Sequence, residues 1–164
     1  THKADAITTA IRLVAETKIR AVLVGGGEAH LVARRLANAK IPVVLSPGIV
    51  RPYSFDTLRA VEDNAARLHR AGVTIALSTA SSHNARHLRW TAGWAVAAGL
   101  PRAEALRAIT TVPARIFGLA AHVGTLAVGQ KANFALFTGD PLSTRSHVAA
   151  VAVGGEVHIG PKQR

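Results

Sequence analysis

Apolar residues along this chain recur at helical spacing, then in short continuous runs, and the alternation repeats. Over residues 5–17, "DAITTAIRLVAET", Ala6, Ile7, Ala10, Ile11, Leu13 and Val14 recur at helical period. "IRAVLVGGG" (19–27) is a short apolar run closed by glycines and predicts a buried strand. "EAHLVARRLANAK" (28–40) returns to helical period, and "IPVVLSPG" (41–48) predicts a second buried strand between prolines. "SFDTLRAVEDNAARLHRAG" (54–72) predicts a helix with a Ser start, apolar positions Leu58, Val61, Ala65 and Leu68, and a Gly stop. A third strand is expected over 73–79, "VTIALST". Helices follow over about 84–98, over 100–110 with Pro101 near its first turn, and over 112–119.

Strand and helix thus alternate three times, the pattern of parallel βαβ units with right-handed crossovers. After residue 120 the texture changes. "VGTLAVGQKANFALFTGDPL" and "VAAVAVGGEVHIG" are Val/Phe/Leu-rich segments with glycine turns, and "VAVGGEVHI" predicts a hairpin turning at Gly-Gly. An antiparallel β element appended to an α/β body is expected.

Composition narrows the classes. The chain has 164 residues, 49% of them hydrophobic, enough for a packed core and against disorder. No apolar run approaches the ~20 residues that span a bilayer, and no signal-peptide pattern opens the chain; a cytoplasmic location is the default expectation. Cysteine is absent, which removes disulfides and thiolate metal sites. Methionine is absent too and the chain opens on Thr1, so a processed product, an excerpt or part of something longer is expected. Thr1 as an N-terminal nucleophile would need supporting partners that the sequence does not offer.

The formal charge of +11 raises nucleic-acid binding. Fifteen of the twenty basic residues are Arg, scattered singly or in pairs without a basic run or a stacking set of aromatics. Solvated arginine faces, or contact with an acidic partner, account for the charge better than a polynucleotide does.

The chemistry is expected at strand ends. Thr79, Ser81 and Ser82 close the third strand without a carboxylate or a G-x-S-x-G elbow, so helix capping is their first reading. His83 and His87 stand i, i+4, the spacing of two zinc ligands on one helix face, but no carboxylate completes a third ligand. "GGGEAH" lacks the G-x-G-x-x-G spacing and reads as a tight strand-to-helix turn, with Glu28 favourable at a helix start. Trp90 and Trp94 are expected in the core or an interface.

Three blocks in order, "AGVTIALST" (71–79), "GLPRAEALRAITTVPARIFGL" (99–119) and "VGTLAVGQKANFALFTGDPL" (123–142), resemble the C-terminal half of the metal-dependent amidohydrolase superfamily. Its imidazolonepropionase- and prolidase-like branch is the nearest in pattern. "ADAITTAIRLVAE" and "GGEAHLVARRLANAKIPVVLSP" match more weakly. The resemblance implies the C-terminal half of a TIM-like (β/α)8 barrel over residues 1–120, carrying strands six to eight. Residues 121–164 would supply short β-strands of a small appended β-sandwich. Thr1–Lys3 would be the last of strand five.

In that family an His-x-His pair on strand one, a Lys or Glu on strand four, His on strands five and six and Asp on strand eight hold one or two divalent ions. The metal-bound water ionises near pH ~7, and the strand-eight Asp takes its proton. On this mapping the strand-eight Asp falls on Ala80, the strand-six His on Gly25, and the strand-five His at or near His2, the one metal-ligand candidate. Asn133 stands where the sandwich has a structural Asp. Thr79, Ser81, Ser82, His83 and Glu28 are then barrel-mouth candidates.

The resemblance therefore implies a hydrolase of C–N bonds whose acid/base is missing here. No cofactor is expected for the chain alone, and a divalent metal such as zinc only if an N-terminal half complements it. The expected partner is that missing half, another protein subunit, or a second copy of the chain; a non-catalytic scaffold subunit is the alternative.

Overall fold

A computed structural model describes residues 1–46 and 55–160; the expected strand end at 47–48 and Ser54 lie outside them. The chain opens with α1 (Ala4–Thr17), as its periodicity predicts, and Ile7 at its inner face is fully buried. β1 (Leu23–Val24), β2 (Val43–Leu45) and β3 (Ile75–Leu77) lie inside the three predicted strand runs and are shorter than them. They form one parallel sheet in chain order, with Leu23 beside Val43 and Val43 beside Ile75. That row, with Leu45 and Leu77, is buried in a core that takes Leu36 and Leu68 from the intervening helices. The opposite face carries Val24, Val44 and Ala76, and Val24 at the β1 edge is 62% exposed.

The helix expected over 28–40 begins as a 3-10 turn at Ala29–Val32 and becomes α2 only over Ala33–Asn38. The long helix expected over 54–72 is a 3-10 turn at Phe55–Thr57, a break, and α3 at Asn64–Arg70. Leu58, expected on its buried face, is 58% exposed. The cause is Asn64, whose buried side-chain amide donates to Gly26 O at 2.8 Å and Gly27 O at 3.2 Å. Binding the glycine turn fixes where α3 starts, because a buried amide must find partners.

Beyond β3 come a 3-10 turn at Ala85–His87, α4 (Leu88–Ala97), α5 (Arg102–Ala108) and α6 (Thr111–Ile116). α4 and α5 meet through Ala92, Ala95, Ala105 and Ala108, all buried. The β element holds β4 (Phe134–Phe137), β5 (Val148–Val153) and β6 (Glu156–Ile159), antiparallel in that order. Gly154 and Gly155 turn the predicted hairpin with φ of 60° and 93°, and Asn133 Oδ1 accepts the Gly154 N–H at 2.7 Å. Residues 123–130, expected to contain strand, form turns instead. Gln130 holds them through Thr125 Oγ1 at 2.6 Å and Ala120 O at 3.0 Å.

The "GDPL" segment docks the β element on the body. Asp140 accepts from Arg102 through both oxygens, at 2.9 and 2.5 Å, and also from Leu142 N at 2.9 Å. The guanidinium and then that backbone N–H hold the Asp140 carboxyl down at about 2, against an ordinary 3.8. The unfolded chain therefore binds the proton more readily. The contribution of the contact is complete above the unfolded pKa and is lost as pH falls from about 4 towards about 2. Hydrogen exchange of the β4–β6 amides should accelerate across that window relative to core amides such as Val43, and Asp140→Asn should flatten the response. Among the described residues no helix is long and apolar enough to cross a membrane.

Candidate functional site

The carboxyl ends of the parallel strands gather two elements of the expected site. At the end of β1, Thr1 and His2 run beside the strand. The Thr1 amine donates to Val24 O at 3.0 Å, Gly26 N to Thr1 O at 2.7 Å, and Glu28 N to His2 O at 2.8 Å. The His2 ring lies across the glycine turn. A Cβ on Gly25 would stand 3.0 Å from His2 Cε1 and 2.9 Å from Thr1 O, and one on Gly27 would stand 3.3 Å from His2 Nδ1. Gly25 has φ +104°, a conformation closed to ordinary side chains. The turn is therefore shaped to seat the His2 imidazole, and a side chain at position 25 would compete with it.

Glu28 is buried, but its own helical turn does not use its carboxylate. Its Oε2 accepts from Ala4 N at 2.9 Å, so it caps the positive end of α1. Asn64 binds the same turn, and its buried Oδ1 has no partner among the described residues. His30, two residues on from Glu28, buries its Nδ1. Burial first, and then the Arg67 charge, lower its pKa.

At the end of β3, Ser78 N donates to Leu45 O at 2.7 Å, which keeps the backbone in sheet register. Ser78 Oγ then accepts Ala80 N at 2.9 Å and stands 3.3 Å from Ser46 Oγ at the end of β2. This turn puts Ala80 at φ +53°, the left-handed region, where Asp, Asn and Gly are favoured over Ala. Thr79 Oγ1 donates to Ser81 O at 3.1 Å. Ser81 and Ser82 offer their carbonyls to Asn84 N and Ala85 N, both at 3.2 Å. Side-chain capping by these serines, the first reading of the sequence, is not what the following helices use: neither the 3-10 turn nor α4 has a side-chain cap bond.

Relief of the strained turn is measurable. Ala80→Gly should stabilise the protein by about 1 kcal/mol, since glycine takes positive φ without the Cβ penalty. Thermal unfolding reads it, and a destabilised Ala80→Gly protein would show that the turn is unstrained.

His83 stands exposed in the turn before Ala85, outside any helix, so the i, i+4 pair does not share a helix face. His87 stacks on Trp90 with centroids 4.9 Å apart, and its Nε2 accepts from Arg86 Nε at 3.3 Å. Trp90 buries its indole nitrogen, whereas Trp94 is 47% exposed.

The divalent ion that the resemblance implies needs at least three protein ligands. Among the described residues no three His, Cys, Asp or Glu side chains come together to hold one. His2 offers one imidazole, Gly25 and Ala80 offer no donor atom, and the Glu28 oxygen is committed to α1. By their chemistry these residues do not by themselves fit a metal.

Sequence reasoning missed Asn64, the Ser46–Ser78 pair and Arg89, whose guanidinium donates to the carbonyls of Pro141, Ser143 and Ser146. For Asn64 a signal existed: a polar residue on the apolar side of a helix, three before Arg67 and one before the buried Ala65.

The sequence matches the model of the amidohydrolase family over residues 1–160. The chain belongs to the amidohydrolase family. No curated protein matches it by sequence. Its fold is similar to that of an amidohydrolase from Thermotoga maritima MSB8, with TM-score 0.89 and 30% identity, over 96% of this chain and 41% of that one. A prolidase solved with N-methylphosphonate-L-proline shares the fold at 19% identity and TM-score 0.64, covering 85% of this chain and 40% of its own. A further amidohydrolase does so at 19% and 0.66, over 94% and 43%. This amidohydrolase-family chain thus spans about two fifths of the length of the solved structures it matches.

Proposed function

We propose that this chain is the C-terminal share of an amidohydrolase barrel, strands six to eight with part of the sandwich, and that alone it carries out no hydrolysis. The reaction class is hydrolysis of a C–N bond in a cyclic amide or peptide-like substrate, with the remaining groups coming from the rest of the barrel. The observation that carries this reading is Ala80. It sits at the end of β3 in a backbone conformation suited to Asp, and the resemblance aligns this position with the family's acid/base. A methyl group can neither take a proton from water nor return one to a leaving amine.

The arrangement around it supports the barrel reading. Three parallel strands stand in chain order, and Thr1 and His2 bond to the outer edge of β1 as a further strand would. The family's divalent ion supplies an activated water when bound. What this chain contributes at the mouth is a rim of hydroxyls and imidazoles: Ser46, Ser78, Thr79, Ser81, Ser82, His83 and His2. Such a rim can hydrogen-bond and orient a polar substrate without charging it.

The test is to purify the protein from its source with every chain and metal that accompanies it. Recovery of the remaining barrel strands, on this or a second polypeptide, is expected. A second reading, a structural subunit derived from an amidohydrolase, draws on the same alanine together with the +11 charge. Stoichiometric unrelated subunits, with no remaining barrel strands, would favour it and sink the first.

A further inference from the structure

At the opposite end of the sheet from Ala80, a cleft of about 800 Å³ opens among the residues leading into the strands, Val22, Pro42 and Thr74. It is bounded by the ends of α1, α2 and α6. Arg20, Lys40 and Arg115 line it, and among the described residues no Asp or Glu does. None of the three is in an ion pair among the described residues, and Glu104, in the hollow adjoining Arg115, is taken by Arg107 at 3.0 Å.

Helix dipoles explain only part of this charge. Each of the three helix ends presents at most about half a negative charge, and α2 and α6, only 6 residues long each, present less. Three full positive charges exceed that compensation. Lys40 is moreover held at φ +53°, where a chain leaving a helix favours glycine, so a cation is kept there at conformational cost.

The cleft is also apolar: Ile19 is 52% exposed and Phe117 62%. One aromatic offers no stacking platform for successive bases, so a polynucleotide suits it poorly. Cations around apolar walls call for carboxylates beside apolar side chains.

We infer that the cleft receives an acidic, apolar segment of the polypeptide that completes the barrel, its carboxylates facing Arg20, Lys40 and Arg115. The inference rests on the reading of the chain as a barrel share. Val24, two residues beyond the cleft-lining Val22, is 62% exposed at the β1 edge, and the matched structures extend well beyond what this chain covers.

Carbodiimide cross-linking of the whole protein, which joins an amine to a touching carboxylate with loss of water, tests it. Mass spectrometry should find Lys40 joined to an Asp or Glu outside residues 1–164, and Lys40→Arg should remove that product. In the same protein, Arg20→Glu with Arg115→Glu should lower the thermal midpoint, by less at high salt than at low salt. Lys40 left unlinked while other cross-links tie further strands to β1 or β3 would overturn the inference and leave the barrel reading intact. Absence of any further barrel strands would overturn both.

Discussion

Gly25→His will destabilise the protein by about 3 kcal/mol, although it installs the residue type that the family resemblance implies at this strand end. Two costs add. The backbone at φ +104° excludes an ordinary side chain, and a Cβ there would stand 2.9 Å from Thr1 O and 3.0 Å from the His2 ring. The ring can swing away, but the carbonyl belongs to the backbone that pairs with β1, so relief means breaking the Gly26 N to Thr1 O bond. Thermal unfolding of the whole protein measures the loss, and zinc titration of the variant should show no gain over wild type. A variant of wild-type stability would mean that the glycine turn adapts freely and that His2 is not seated by it.

Arg89→Ala should cost about 3–4 kcal/mol and loosen the β element from the body. The guanidinium donates to three backbone carbonyls, Pro141 at 3.1 Å, Ser143 at 2.8 Å and Ser146 at 3.0 Å. It also lies over the Trp90 and Phe137 rings at 4.9 and 5.7 Å. Removing it leaves the Pro141 and Ser146 carbonyls without a donor among the described residues, while Ser143 O keeps the Ser146 N–H at 3.3 Å, and an orphaned partly buried carbonyl is costlier than a lost exposed ion pair. α4 approaches the same loop so closely that a Cβ on Gly93 would stand 2.7 Å from Leu142 O, so the gap cannot close by collapse of the helix. Hydrogen exchange should show β4–β6 opening well before β1–β3. Lysine, which cannot span three carbonyls as a planar fork does, should rescue little.

What could be read in the sequence followed from periodicity. α1 and the three strand runs were legible because continuous or helically spaced apolar residues must be buried on one face. The long helix over 54–72 was not, because Asn64 answers to Gly26 and Gly27, far away in sequence; its place on the apolar side of the helix hinted at a buried amide, but not at that partner. Strand content over 123–130 was overstated for a similar reason: Gly124 and Gly129 take positive φ, and Gln130 ties the loop to itself. At the site, the alanine at a strand end was visible in the letters, and its left-handed backbone was not. Glu28 was legible as a helix-start carboxylate, yet the helix it serves begins at Ala4, a partner that only the fold brings near.

The most direct test is hydrolysis of a panel of dipeptides, N-acyl amino acids and cyclic amides by this chain, supplied with zinc, first without and then with the chains that accompany it. With Ala80 at the end of β3, turnover by the chain alone should stay at the uncatalysed background. Hydrolysis above background by the chain alone that disappears when zinc is removed would contradict the account, because the chain would then work without an acid at position 80.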